Sequence, residues 1–229
     1  EAWMRIQERP QHKASASVTF GGGDAARDAM QAVRAIAQSG LHPANCRLLD
    51  PGEAALSGAG SGSEWVLVLG VESAHHPVEP TMDELLTLAR DHGGSTPART
   101  GTAEEAGGAR DDAAEAWRSS FLQMPYLRDA LARMSALVET FETATTWDRV
   151  VDLYDAVRAE LGAAVTEVTG GPGLINCRFT HVYPDGAAPY FTVIAAGRRG
   201  SELGMWDEIK AASMEVLARH RATVTHHHA

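Results

Sequence analysis

Leu174-Ile-Asn-Cys-Arg-Phe-Thr-His-Val-Tyr183, then Pro184-Asp-Gly186, then Pro189-Tyr-Phe-Thr-Val-Ile-Ala-Ala196 is the stretch whose reading decides the fold. Two runs rich in β-branched and aromatic residues flank a Pro-Asp-Gly turn, which is the pattern of a β-hairpin. Upstream, Ser15–Phe20 alternates small or polar with apolar residues and reads as a strand. Asn45–Asp50 reads as a short strand closed by Pro51-Gly52, and Ala136–Thr143 as another. Trp65–Val71 is a continuous apolar run of strand length, which implies burial on both faces or nearly so.

Between these strands the apolar residues fall at helical spacing. Asp24 is a good N-cap for a helix carrying Ala26, Met30, Val33 and Ala37, with Gly40 at its stop. Thr81-Met-Asp-Glu84 resembles a capping box ahead of Leu85, Leu88 and Ala89. Thr146-Trp-Asp-Arg149 opens an amphipathic helix with Trp147, Val150, Val151, Tyr154, Val157 and Leu161 on one side. A last helix, about Leu203 to His220, turns Trp206, Ile209, Ser213, Val216 and Leu217 inward. Two strand-helix-strand units with added hairpin strands predict an α+β domain. Its antiparallel sheet is covered by helices on one face, with ferredoxin-like character and duplication left open. Ser57–Ser63 reads as a flexible loop, and residues 95–115, poor in core material, as a mobile loop or weak helix. From Ala116 to about Met134 apolar residues return, with Pro125 bending or splitting a helix.

The chain has 229 residues, a formal net charge of -10 and 44% hydrophobic content, values that fit a globular domain with a real core. The acidic balance argues against a nucleic-acid partner, which needs a basic face. Cys46 and Cys177 cannot build a disulfide framework and suit a reducing cytosol. No apolar run reaches the roughly 20 residues that span a bilayer. The start is no signal peptide and opens as if in mid-strand, so a fragment is expected. The Ala-, Gly-, Asp- and Arg-rich composition points to a bacterial source. Gly21-Gly-Gly23 lacks the spacing of a phosphate cradle and reads as a plain strand-helix turn.

Residues able to carry chemistry are few. His226, His227 and His228 follow Thr223-Val-Thr225 near the end of the chain. On a strand they alternate faces, so they cannot all ligate one metal, and no metal site is read. An affinity-tag remnant and a proton-transfer cluster are the other readings, since imidazole both takes and gives a proton near neutral pH. Tyr190 is either a core aromatic with a tethered hydroxyl or a site residue. Arg128 is either on a solvated helix face or an anion clamp. Arg47 with Asp50 is either a local ion pair or a support for a cofactor.

Several of these pieces resemble one family. Glu139-Thr-Phe-Glu-Thr-Ala-Thr-Thr-Trp-Asp-Arg-Val-Val-Asp-Leu153 is similar to a signature stretch of the alkyldihydroxyacetonephosphate synthases. Cys177-Arg-Phe-Thr-His-Val-Tyr183, Tyr190-Phe191 and Thr225-His-His-His228 follow in that family's order, and Tyr126-Leu-Arg-Asp129 and Arg47-Leu-Leu-Asp50 also match. More broadly the chain resembles vanillyl-alcohol-oxidase-like flavoproteins. Ala229 departs from the glycine that the family carries after the histidines.

The resemblance implies that residues 1–229 are the cap, or substrate, domain over a flavin, with the FAD-binding domain outside this chain. It implies exchange of the acyl group of acyl-dihydroxyacetone phosphate for a long-chain alcohol, in ether lipid synthesis. There FAD bonds the substrate carbon at N5 without net redox change. His226, His227, His228 and Tyr190 would then be catalytic, Arg128 would bind phosphate or the departing carboxylate, and His228 and Arg47 would touch the cofactor side. Lipid-like substrates, a cytoplasmic location with peripheral membrane contact, and a homodimer belong to the same expectation. An FAD-linked dehydrogenase or oxidase of a 2-hydroxy acid is the alternative. A flavin-free ligand-binding module is the third reading.

Overall fold

The computed structural model describes residues 3, 4, 6, 8–96, 119 and 126–224. Strands β1 (His12–Phe20), β2 (Asn45–Leu49), β3 (Trp65–Ser73), β4 (Ala136–Glu142), β5 (Thr145–Thr146), β6 (Leu174–Val182) and β7 (Gly186–Ala196) form one antiparallel sheet. Its order is β1-β3-β2-β6-β7-β4, with β5 added on β7. The helices are α1 (Ala25–Gln38), α2 (Pro51–Ser57), α3 (Glu79–Asp91), α4 (Val150–Ala156), α5 (Gly162–Thr169) and α6 (Glu202–Arg219). A π-helical turn, Val157–Leu161, joins α4 to α5.

The order of elements is a repeat. β1-α1-β2-β3-α3 and β4-α4-β6-β7-α6 run the same course, and in each the third strand lies between the other two. Each half is a split βαβ unit. The halves meet where β2 pairs β6 through Leu48↔Phe179 and Leu49↔Arg178. The α+β antiparallel sheet and the duplication are therefore present, and α1, α3, α4 and α6 share one face, with the short α2 on the other.

Strand alternation sorts the side chains. Val18, Leu48, Leu67, Phe141, Phe179, Phe191 and Val193 point to one face and are buried under α1, α3, α4 and α6. Trp65 belongs to this face and meets Tyr154 with ring centroids 5.1 Å apart. The opposite face carries Ser15, Ser17 and Thr19 on β1, Arg47 on β2, Asn176 and Arg178 on β6, Tyr190 and Thr192 on β7, and Thr140 and Glu142 on β4. A small second apolar cluster, Leu49, Ala54, Ala59, Val66 and Val68, packs α2 on this face at the β2–β3 end. On this open side Leu174 and Thr140 are exposed, while Asn176, Thr192 and Glu142 are buried. The open face is polar.

Helix α2 corrects the expectation of a Pro-Gly stop followed by a loop. Asp50-Pro51-Gly52-Glu53 is a capping sequence: Asp50 Oδ1 accepts the Glu53 N–H at 2.8 Å, and Pro51 stands where its missing N–H costs nothing. Gly58, at φ 73°, closes the helix in the left-handed conformation. The alternative of an Arg47–Asp50 ion pair is also corrected, because Asp50 pairs with Arg158. Asp24 sits at the expected N-cap of α1 but makes no side-chain cap bond. The loop expected at 95–115 and the bent helix from 116 fall mostly outside the described residues. Ser95 bridges to Thr19, and residues 126–133 are helical.

Asp50 is fully buried at the junction of the halves. Its second oxygen accepts the Cys177 N–H at 2.8 Å and the Tyr154 hydroxyl at 3.3 Å, with Arg158 Nη1 at 3.5 Å. Its own N–H donates to the Cys177 carbonyl. Burial raises the Asp50 carboxyl to about 6, against the lowering effect of the Glu53 and Cys177 amides and of Arg158.

Two outcomes are expected in urea denaturation. Asp50→Ala loses the cap and strands the Cys177 amide, costing about 3 kcal/mol. A carboxyl raised in the fold contributes most below its unfolded value near ~3.9, and the contribution is lost as pH rises through about 6. The parent chain should therefore lose stability relative to Asp50→Asn between those pH values, by about 3 kcal/mol at most. A flat difference across that window would refute the assignment.

Candidate functional site on the open sheet face

The polar residues of the open face converge at the β6–β7–β4 end. Arg178 lies opposite Tyr190 across β6–β7, and Tyr190 lies opposite Glu142 across β7–β4, so the three share one face in a row. The Arg178 guanidinium lies over the Tyr190 ring, 3.9 Å from its centroid. From the other side Glu53 of α2 reaches Arg178, with Oε1 at 2.5 Å from Nη1. The Arg178 side chain is 11% exposed and that of Glu53 2%. Tyr190 is half-buried and Glu142 buried.

Arg47 adjoins this row on β2. Its guanidinium is held below the usual arginine range, first by burial and then by the positive charge of Arg178. Two guanidiniums, two buried carboxylates and a phenol thus share a surface with partly excluded water, where each charge acts more strongly than in solution. The Cys177 thiol points to the helix side and is raised by burial, so it is no nucleophile.

Tyr190 and Arg47, both expected at the site, are brought to one face. Arg128 is exposed in the helical residues 126–133 and makes no hydrogen bond or ion pair among the described residues. That helical stretch joins β4 at Ala136, six residues along from Glu142, or about 20 Å of strand. His226, His227 and His228 lie outside the described residues. The segment leading to them is pinned beside Glu142, where Thr223 N–H donates to the Ala144 carbonyl at 3.1 Å and the Thr143 hydroxyl to the Thr223 carbonyl at 2.6 Å.

Sequence reasoning missed Arg178, Glu53 and Glu142. Strand alternation alone puts Arg178 two residues from Asn176 on the face that avoids Cys177 and Phe179, and the Asp50-x-x-Glu53 spacing marks a helix start. The pairing of the two across the junction has no local signal.

The chain belongs to the family described as FAD linked oxidases, C-terminal domain, whose model matches residues 9–229. Among curated relatives, alkyldihydroxyacetonephosphate synthase of Trypanosoma brucei brucei is 30% identical over 112 residues, 49% of this chain and 18% of that protein. The Caenorhabditis elegans protein of the same name is 36% identical over 107 residues, 45% of this chain and 18% of the relative. The matched part therefore spans about a fifth of these relatives.

A solved alkyldihydroxyacetonephosphate synthase superposes over 94% of this chain and 41% of its own, with TM-score 0.74 and 16% identity. A substrate-bound p-cresol methylhydroxylase does so over 94% of this chain and 45% of its own, with TM-score 0.61 and 11% identity. At those identities the likeness is one of fold. The family is FAD-linked. Glycine-rich sequence of the kind that cradles a pyrophosphate does not occur in this chain.

The site depends on how closely α2 rides on β6. A Cβ at Gly52 would overlap the Asn176 side-chain amide. Gly52→Ala should destabilise by about 1–3 kcal/mol, and adding Asn176→Ala should recover most of the loss. Simple additivity in chemical denaturation would show that the contact is not tight.

Proposed function

We propose that this chain is the substrate-side domain of an FAD-dependent alkyldihydroxyacetonephosphate synthase-like enzyme, which exchanges the acyl group of acyl-dihydroxyacetone phosphate for a long-chain alcohol. The observation that carries the reading is the placement of Tyr190 on the open face beside Glu142, with the tether of the histidine segment at Thr143–Ala144. Curated relatives carrying the synthase name support it.

FAD, when bound, supplies an electrophilic position for the substrate carbon. The chain's own residues handle protons and charge. Exchange at a carbon bearing an acidic proton needs a base near it, and the incoming alcohol must lose a proton as the carboxylate leaves. His226, His227 and His228 serve as that base and acid, and Tyr190 relays a proton from its hydroxyl. Arg47 faces the cofactor side, and Arg128 meets the phosphate or the departing carboxylate, whose negative charge a guanidinium matches.

The same face has an apolar end. Leu174, Ile194 and Val138 stand side by side across β6, β7 and β4, and Leu174 is 61% exposed. An alkyl chain lying along β7 from Tyr190 would meet Ile194 after about 13 Å of strand. A lipid-like substrate therefore fits the face better than a small hydroxy acid.

The test uses the full-length protein with its flavin. Acyl-dihydroxyacetone phosphate and a long-chain alcohol should give the alkyl ether with the flavin oxidised throughout. His227→Ala and Tyr190→Phe should each lower that rate by at least a hundredfold. Anaerobic bleaching by a 2-hydroxy acid, without ether formation, would move the protein to the redox alternative.

A further inference from the structure

Arg178 is held by a buried carboxylate and is too little accessible to serve as a ligand clamp. Its side chain is only 11% exposed, and Nε is buried with no hydrogen-bond partner among the described residues. Glu53 Oε2 is likewise buried without a partner there. A pair placed for stability alone would be expected to satisfy both groups, because buried ion pairs seldom stabilise more than apolar residues of the same volume. What this pair provides is geometry. A carboxylate on Nη1 fixes the plane of a guanidinium, and that plane lies on the Tyr190 ring at 3.9 Å.

We propose that Arg178 and Glu53 are positioning residues for Tyr190. Arg178 sets the plane of the phenol and steadies negative charge at its oxygen during proton transfer, and Glu53 holds Arg178 in place. The proposal rests on the reading of Tyr190 as a proton-transfer residue. When the Tyr190 proton leaves, the O–H bond breaks, its electron pair stays on the phenol oxygen, and the proton goes to the reacting partner. Return of a proton restores the phenol, so nothing is oxidised or consumed. A cation over the ring face attracts the charge that builds during that step, and it does so more strongly for being desolvated. Glu53 arrives from α2, in the other half of the duplicated fold, so the orientation of the phenol is set across the junction.

The test has two arms, both on the flavin-loaded full-length protein. In the kinetic arm, Arg178→Met should lower kcat at least thirtyfold with KM changed less than threefold, and Arg178→Lys should recover most of the loss. In a Tyr190→Phe background Arg178→Met should have almost no further effect, since a residue acting through Tyr190 has nothing left to act on. Full additivity, or a change confined to KM, would overturn the proposal.

In the spectroscopic arm, tyrosine labelled with 13C at Cζ is followed by NMR. Arg178→Met and Glu53→Gln should shift and broaden the Tyr190 signal, assigned by its loss in Tyr190→Phe, at temperatures where the thermal midpoint shows the variants folded. An unchanged signal would overturn the positioning role even if no ether-forming activity exists. A changed signal without that activity would retain the geometry and discard the synthase reading. If Arg178→Met does not fold, Glu53→Gln and Arg178→Lys carry both arms.

Discussion

Burial of one carboxylate holds the two halves of this domain in register. The β2–β6 seam pairs only Leu48 with Phe179 and Leu49 with Arg178, far less than the nine pairs that join β1 to β3. Asp50 stands at the end of that short seam and is satisfied from both sides. The Glu53 amide comes from its own half, and the Cys177 amide, Tyr154 hydroxyl and Arg158 guanidinium come from the other. A charge with no exposure is tolerated only when donors surround it, and here assembling the donors is the same event as docking the halves. The π-helical turn contributes to this. It carries Arg158, whose Nη1 donates to the Tyr154 hydroxyl at 2.7 Å, so that both side chains reach the same carboxylate.

From that seam the chemistry of the two sheet faces follows. The helix side takes the large apolar residues, and its aromatic contacts, Trp65 with Tyr154 and Phe141 with Phe191, are those of a filled core. The other side is spared large apolar residues except under α2 and at the Leu174–Ile194–Val138 end. Helix α2 therefore has two tasks. Its apolar residues cover β2 and β3, and its Glu53 extends over β6 to Arg178. Gly52 allows it to lie that close.

Most of the fold was legible because it rests on local pattern. The hairpin, the apolar run at Trp65–Val71 and the amphipathic stretch from Trp147 carry their periods openly, and the strands and helices lie close to where those periods put them. Helix α2 was not seen, because Pro51-Gly52 reads as a stop unless Asp50 and Glu53 are read together as a cap. The site was legible in part. Tyr190 is marked by its motif, and it does lie on the open face. Arg178 was overlooked because its meaning comes from Glu53, which is 125 residues away in the chain. Nothing in the composition of either segment announces a contact made only when two repeats dock.

The halves share the order of their main elements; the second adds β5, the π-helical turn and α5, and the first adds α2 in its link between strands. Between β6 and β7 the chain turns in three residues, 183–185, whereas between β2 and β3 it spends fifteen, 50–64. All of Asp50, Glu53 and α2 lie inside that longer link. A symmetric pair of halves would give a sheet with two equivalent ends and no reason to prefer either. The longer link is one source of asymmetry: it supplies α2 to one half of this face, where the three-residue β6–β7 turn supplies no helix. The placement of Glu53 over β6 thus follows from a loop length that the second half does not repeat.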